Sequence, residues 1–204
     1  MVLSVKEELS QLPTYSEELG LDLTKPEDRF KWFLASILFA KRISAEIAKR
    51  TYRRFEEEEL TTPEKILAAG WDRLVQVLDS GGYVRYDFST ATNLLRIMRE
   101  LKEKHEDLDE LHRESTNAKD LEKRLQEFKG VGPVAVNIFL RELRGIWCKA
   151  KPKPSRIAVK VAQRVGVEEI KDYESALVRI NLEYCKKHYC ESCPVRIYCK
   201  DKTT

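Results

Sequence analysis

The chain has 204 residues, of which 42% are apolar and 35% charged, and its 37 basic and 34 acidic side chains leave a formal net charge of +3. This composition indicates a soluble globular protein of one large or two small domains. No apolar run approaches the roughly 20 residues that cross a bilayer, and the first residues are acidic where a signal peptide would be basic and then apolar. We therefore expect a cytoplasmic protein, associated with the nucleoid if the source is prokaryotic, that has no membrane partner.

Helical periodicity runs through most of the chain, and only 8 glycines and 7 prolines interrupt it. The long segments rich in Glu, Lys, Arg and Leu favour helices, and no segment alternates as a strand would. The sequence therefore predicts an all-α fold.

The first predicted helices follow residues that can cap them. Thr24 and Glu27 have the spacing of a capping box, which would open an almost wholly apolar helix from Phe30 to about Ala40. Ser44 is placed to cap the next helix, from Ala45 to Phe55.

Three further helices are predicted before the middle of the chain. Thr62 can cap a helix from Lys65 to about Ala69, and a second short helix should run from Trp71 to Leu78. A glycine pair ends that helix, and Ser89 is predicted to cap a longer helix through Leu101.

The segment from Leu121 to Leu143 contains two helical stretches with apolar faces, separated by the sequence Gly-Val-Gly-Pro. Gly130 and Gly132 permit backbone angles closed to other residues, and Pro133 suits the first position of a helix, so the chain should turn sharply here. The amides at the start of the second helix would face outward, where the helix dipole favours an anion such as a phosphate. A plain helix-turn-helix corner would explain the same glycine pair.

A basic run follows this turn. Eight basic residues and one acid, Glu142, lie between Arg141 and Arg164. Such a run is often only a solvated surface, but beside an anion-binding turn it would suit a surface that follows phosphates. Lys151, Lys153 and Arg156 are the candidates for these contacts.

Four cysteines near the end of the chain, Cys185, Cys190, Cys193 and Cys199, have the spacing C-x4-C-x2-C-x5-C. Four thiols so close together in a cytoplasmic protein indicate a metal site rather than disulfides. Four thiolates complete a closed site, so its role should be structural.

The hairpin and the cysteines together resemble the endonuclease III superfamily of DNA glycosylases, known as HhH-GPD proteins. The carrying features are the pattern hydrophobic-x-Gly-hydrophobic-Gly, Asn137 in the second helix, and the last two cysteine intervals. The family binds a 4Fe-4S cluster through C-x6-C-x2-C-x5-C. The first interval is two residues shorter here, which leaves zinc as the alternative to iron and sulfur.

This resemblance implies two helical domains. One is a six-helix domain, residues 27–143, that carries the helix-hairpin-helix at residues 121–141. The other is a smaller iron–sulfur domain formed by residues 1–26 and 144–204. The implied partner is double-stranded DNA, bound by a monomer.

The resemblance also implies DNA-contacting residues. The family inserts a side chain from the loop at Gly81–Asp87 into the duplex when a base is flipped out, and Tyr83, Arg85 and Tyr86 are suited to this. Lys41 falls where the family has a second gap-filling residue. The alternative is that one tyrosine belongs to the core and Arg85 is an ordinary surface residue. At the hairpin the implied DNA contacts are Lys129, Gly130, Gly132 and Val134.

Both catalytic residues of the family are replaced in this alignment. A glycosylase needs a carboxylate near C1′ of the sugar, and a lyase adds an amine that attacks C1′. Val134 stands where the family has its lysine, and Ser155 where it has its aspartate. Lyase activity is therefore not expected, and a glycosylase would need an acid from elsewhere, for which Asp87, Glu142 and Asp172 are the candidates.

Two functions remain open. The first is a monofunctional DNA glycosylase, of the base-excision-repair type, that removes a damaged or mismatched base with a displaced carboxylate. The second is a non-catalytic module that recognises distorted or damaged DNA. An RNA-directed protein with a zinc knuckle is disfavoured, because the hairpin suits a duplex backbone rather than splayed bases.

Overall fold

The computed structural model describes residues 3–201, and this part of the chain is all-α, with eleven α-helices, three single-turn 3-10 helices and no strand. The predicted fold class is thus confirmed. No described helix is long and apolar enough to cross a membrane. The α-helices are α1 (Val5–Ser10), α2 (Tyr15–Glu18), α3 (Pro26–Phe39), α4 (Ala45–Glu57), α5 (Pro63–Ser80), α6 (Asp87–Lys104), α7 (Leu108–Glu114), α8 (Ala118–Glu127), α9 (Pro133–Arg141), α10 (Arg156–Val165) and α11 (Glu174–Glu183). The 3-10 helices are Cys185–Lys187, Cys190–Ser192 and Arg196–Tyr198.

The chain forms two compact units. The central unit is Leu19–Pro152, and the terminal unit combines Met1–Glu18 with Lys153–Thr204. The predicted domain boundaries at 26/27 and 143/144 lie close to these limits without coinciding with them, since residues 19–26 and 144–152 group with the central unit.

Helix α3 is the core of the central unit, as its nearly continuous apolar sequence requires. Trp32 and Phe33 are buried, and the Trp32 indole N–H donates to the carbonyl of Phe139 at 3.2 Å. The ring of Phe33 makes edge contacts with Phe128 and Phe139, at centroid distances of 6.3 and 5.2 Å. Both halves of the predicted hairpin are therefore seated on α3.

The predicted cap of α3 is wrong. The helix begins at Pro26 with Lys25 in the N-cap position and no side-chain cap. The hydroxyl of Thr24 donates instead to the Asp22 carboxylate at 2.6 Å. A local Asp-x-Thr turn thus competes successfully for the residue that the capping box would use.

Of the other three predicted caps, two are confirmed and one is wrong. The hydroxyls of Ser44 and Thr62 accept from the amides of Ile47 and Lys65, at 3.2 and 3.3 Å. Ser89 is not a cap, because α6 already begins at Asp87 and the Ser89 hydroxyl donates to the Tyr86 carbonyl.

The two short helices predicted around residue 70 form one element with a kink. Gly70 has φ +74° and ψ 179°, so the chain leaves the helical conformation at this residue and resumes it at Trp71. The positive φ explains why glycine occupies this position.

The terminal unit has a separate apolar core, in which α10 and α11 supply most of the buried side chains and α1 adds Leu9. Arg179 of α11 ties the N-terminal segment to this core through the Glu18 carboxylate at 3.1 Å and the Pro13 carbonyl at 2.8 Å. Val195, buried between the last two 3-10 helices, connects the cysteine segment to the same core.

Candidate nucleic-acid interface and cysteine cluster

The segment expected to form the helix-hairpin-helix consists of α8, a tight turn and α9. Asn117 caps α8 through the amides of Lys119 and Asp120, and the turn closes with a hydrogen bond from the Val131 amide to the Phe128 carbonyl at 3.0 Å. Helix α9 starts at Pro133, as the proline predicts.

The two glycines of the turn differ. Gly130 has φ +102°, and a Cβ there would lie 2.7 Å from the Asn93 amide nitrogen, so this position requires glycine. Gly132 has φ −91°, which any residue adopts, and no atom lies within 4 Å of where its Cβ would be. The conformational role predicted for both glycines therefore applies to Gly130 alone, and Gly132 presents open backbone.

The start of α9 has the features of an anion site. Gly132 is its N-cap residue, no side chain caps it, and its first turn has no acidic residue. Val134, which the sequence resemblance places at the lysine position of endonuclease III, is 58% exposed beside it, and Lys129 is exposed on the turn. The helix dipole is thus uncompensated by protein side chains at an accessible end.

In the loop at residues 81–86, one residue predicted to contact DNA, Tyr83, does not lie at the surface. Tyr83 is 1% exposed, and its hydroxyl donates to the Leu38 carbonyl at 3.0 Å. Burial raises the pKa of this phenol well above its usual value. Tyr83 is therefore the core tyrosine of the two alternatives and has no surface to offer to DNA.

Two cations, Arg85 of this loop and Lys41, lie near the ring of Tyr86. The Arg85 guanidinium lies 5.6 Å from the centroid of the Tyr86 ring, and the Lys41 ammonium lies 6.0 Å from it. Arg50 fixes the base of the loop by donating to the Gly81 carbonyl at 2.8 Å. Two cations are thus held over one half-buried aromatic ring.

Trp71 and Phe88 form an exposed aromatic pair that sequence reasoning missed. They are 40% and 59% exposed, and their ring centroids are 5.3 Å apart. The two residues lie in different helices, and Trp71 directly follows the kink at Gly70. No local pattern in the sequence signals the contact.

The basic run does not form one continuous surface. Arg141 is buried, Arg144 donates to the Pro152 carbonyl, and Lys149 donates to the His112 and Arg113 carbonyls. The three predicted phosphate contacts are all exposed; Lys151 belongs to the central unit, and Lys153 and Arg156 to the terminal unit.

The candidate acids occupy different environments. Asp87 is buried at the start of α6, where its carboxylate accepts from the Phe88 amide at 2.6 Å, and a shared hydrogen bond with it raises the pKa of the exposed Asp79. Glu142 is half-buried at the end of α9, and Asp172 is exposed in the terminal unit. The structure does not bring these three carboxylates together in one unit.

Next to Ser155 lies the carboxylate of Glu174, which the sequence did not indicate. The Ser155 hydroxyl caps α10 by accepting from the Ala158 amide at 3.3 Å, and the Ser155 amide donates to Glu174 at 2.8 Å. Glu174 is 1% exposed and lies on α11, so only the packing of α10 and α11 reveals it. In this position Glu174 anchors the start of α10.

The four predicted metal ligands lie in or next to the three 3-10 helices, and all are half-buried. Cys185 and Cys193 pack against the core of the terminal unit. Burial raises the pKa of both thiols, and the neighbouring cysteines raise it further: Cys190 and Cys199 act on Cys185, and all three other cysteines act on Cys193. The thiols therefore form one electrostatically coupled cluster.

Arg164 holds this cluster to α10. Its guanidinium pairs with Asp201 at 2.8 Å, and its carbonyl accepts from the Lys200 amide at 2.9 Å. Arg164 acts against the rise in the pKa of Cys185, and the Val195 amide acts against the rise in the pKa of Cys193. Such groups near a sulfur favour the thiolate, the form that binds metals.

Four thiols supply the donor atoms that an iron–sulfur cluster takes, and zinc takes the same donors. Within residues 3–201, however, no three His, Cys, Asp or Glu side chains are arranged so that they could hold a metal ion. The fit thus rests on the chemistry of the donor set alone.

Comparisons with protein families and with curated proteins add no relative. No protein-family model matches the sequence. No curated protein matches it either.

Proposed function

We propose that this chain is a DNA-binding protein of the base-excision-repair type, similar to endonuclease III, and that it binds duplex DNA through its hairpin. The observation that supports this most directly is the start of α9, where an uncapped helix end, open Gly132 backbone and the exposed Lys129 coincide. Backbone amides and a helix dipole bind phosphate without reading sequence, as a repair protein requires.

The test of DNA binding is fluorescence anisotropy with a labelled duplex, comparing wild type with Lys129→Ala and Gly132→Val. Both variants should weaken binding, because one removes a cation and the other places methyl groups over the open backbone. Lys123→Ala, a change on the preceding helix, is the matched control. Equal binding by all four proteins would show that DNA does not use the hairpin.

We propose as the activity the hydrolysis of an N-glycosidic bond without lyase action. In this reaction water adds to C1′ of the sugar, the base leaves, and a carboxylate orients the water and stabilises the positive charge that develops on the sugar. The three candidate acids are Asp87, Glu142 and Asp172. Base release should be assayed across duplexes with damaged and mismatched bases, with Asp87→Asn, Glu142→Gln and Asp172→Asn tested on any substrate found.

The second candidate function is non-catalytic recognition of distorted DNA. It is favoured by Val134 and Ser155, which replace both catalytic residues of the family, and by the burial of Asp87. Selective binding of damaged duplexes without base release from any of them would establish this function in place of the first.

We further propose that Cys185, Cys190, Cys193 and Cys199 bind a 4Fe-4S cluster, in a compartment that keeps thiols reduced. The cluster would serve as a structural crosslink, because four thiolates leave no open position for substrate. Anaerobically purified protein should be yellow-brown and contain four irons, and Cys193→Ser should lose the colour. Colourless protein with one zinc per chain would establish the alternative metal.

A further inference from the structure

The exposed pair of Trp71 and Phe88 on the central unit is held in place by hydrogen bonds, as expected for a binding surface rather than for a chance contact. Thr92 links the two residues: its hydroxyl accepts from the Trp71 indole N–H at 3.0 Å and donates to the Phe88 carbonyl at 2.8 Å. Trp71 directly follows Gly70, where the helix is kinked. Two large apolar side chains are thereby held together at the surface, at the cost of leaving both exposed to water.

The charges next to this pair are suited to a polyanion. The loop that leads into Phe88, residues 81–86, contains Arg85 and no acid, and Arg85 and Lys41 both lie over Tyr86, two residues before Phe88. Helix α5 carries three acids, Glu64, Asp72 and Asp79, and the last of them interacts with the buried Asp87. The segment that leads into Phe88 therefore carries positive charge and no acid before Asp87.

The hairpin turn lies against α6, the helix that carries Phe88 and Thr92. Gly130 approaches the side chain of Asn93, which follows Thr92 directly in α6. One segment of α6 thus supports both the stacking surface and the turn that we propose contacts phosphate. A nucleic-acid strand is the occupant that uses an aromatic face, flanking cations and a phosphate site together.

We propose that Trp71 and Phe88 form a stacking site for an unpaired nucleobase, in a DNA strand whose phosphates contact Arg85 and Lys41. This inference rests on the proposed DNA binding and narrows its substrate class to DNA with unpaired bases, such as a bubble or a single-stranded gap. A paired base offers no free face, so an intact duplex gains nothing from this surface.

The experiment compares anisotropy titrations with a short duplex and with the same duplex carrying a central unpaired stretch. Wild type should prefer the unpaired substrate. Phe88→Ala should weaken binding to it by roughly 5- to 150-fold, the loss expected for one stacked base, while binding to the intact duplex stays unchanged. Phe88→Tyr keeps the aromatic face and should retain the preference, and Ile146→Ala is the control for loss of an exposed apolar side chain from the same unit.

Tryptophan fluorescence gives an independent readout. Of the three tryptophans, Trp32 and Trp147 are buried and Trp71 is exposed. The unpaired substrate should quench the emission of wild type, and Trp71→Phe should abolish that change. Thr92→Val, which removes the link between the rings, should reduce the quenching and the preference together.

Three outcomes separate the possibilities. Failure of wild type to bind either DNA would overturn the proposed function itself. Tight duplex binding without a preference for unpaired bases, or with a preference that Phe88→Ala leaves intact, would overturn only the stacking site. Sedimentation that shows a wild-type dimer and a monomeric Phe88→Ala protein would also overturn it, because the pair would then be a contact between copies of the chain.

Discussion

Single residues in the hairpin carry different constraints even where they have the same identity. Gly130 adopts a left-handed backbone conformation and leaves room for Asn93, whereas Gly132 is extended and surrounded by open space. Folding requires the first glycine, and the second is free to serve a ligand that approaches the backbone.

Alanine substitutions at these glycines should therefore separate stability from binding. Gly130→Ala should lower the free energy of unfolding by roughly 1–3 kcal/mol, since a residue with a Cβ is strained at positive φ and meets Asn93. Gly132→Ala should change it by less than about 0.5 kcal/mol, as for a surface substitution. Urea unfolding followed by circular dichroism measures both, and equal losses would contradict the distinction.

Val134 is the basis of a further prediction at the scale of single residues, which concerns lyase activity. In the alignment with endonuclease III that we propose, its exposed isopropyl group replaces the amine that would attack C1′ of the sugar. Incubation with an abasic duplex and borohydride should therefore give no covalent adduct through the hairpin. A trapped adduct that maps to Lys129 or another lysine of the chain would restore a bifunctional enzyme as the leading function.

At the scale of elements, the basic run behaves as two groups. Lys149 and Arg144 donate to backbone carbonyls of the central unit, whereas Lys151, Lys153 and Arg156 are exposed. A count of charges along the sequence does not separate these groups, because the distinction depends on which carbonyls the fold places within reach.

The two groups should respond differently in salt titrations of DNA binding. Each exposed residue that contacts a phosphate should reduce the slope of log K against log salt by about 0.9 when it is replaced by alanine. Lys149→Ala should leave the slope unchanged, since its ammonium is already held by the His112 and Arg113 carbonyls. A slope unaffected by replacing Lys151, Lys153 and Arg156 together would show that the exposed group faces away from DNA.

At the scale of the whole molecule, the acidic residues set how stability depends on pH. Hydrogen bonds in the folded protein lower the pKa of several carboxyl groups, each through a side chain or backbone amide close to it. These groups are Glu7, Asp22, Glu59, Glu64, Asp120 and Glu169. Asp79 is shifted in the opposite direction by its hydrogen bond with Asp87.

The lowered and the raised pKa values predict opposite effects of pH on the stability of the fold. A lowered folded-state pKa contributes stability above the unfolded pKa and loses it as the pH falls, so the urea midpoint should decrease on acidification below the usual carboxyl range. Asp79 has a raised pKa, so its contribution is present at low pH and is lost as the pH rises. Asp79→Asn should therefore raise the midpoint at neutral pH and have little effect in acid.

High salt should reduce the contribution of the exposed ion pairs to stability, such as that of Lys6 with Glu169.

Local chemistry in the sequence was sufficient for the fold class, the kink region and much of the hairpin. Ser44 and Thr62 cap their helices because a cap needs only a hydroxyl and an amide three residues apart, and Pro133 starts α9 because its φ is already helical. Thr24 and Ser89 were predicted wrongly because other bonds close by, to Asp22 and Tyr86, took their hydroxyls.

The composition of the candidate site was decided by contacts between distant parts of the chain. Tyr83 and Tyr86 lie in the same loop, and only the fold shows that Tyr83 is the buried one, with its hydroxyl donating to the Leu38 carbonyl. Trp71 meets Phe88, and Glu174 meets Ser155, through helix packing that no spacing along the chain encodes. The sequence by itself thus determined periodicity, turns and the thiol spacing, which depend on neighbours. Tertiary structure decided which side chains remain at the surface, because burial depends on what packs against them.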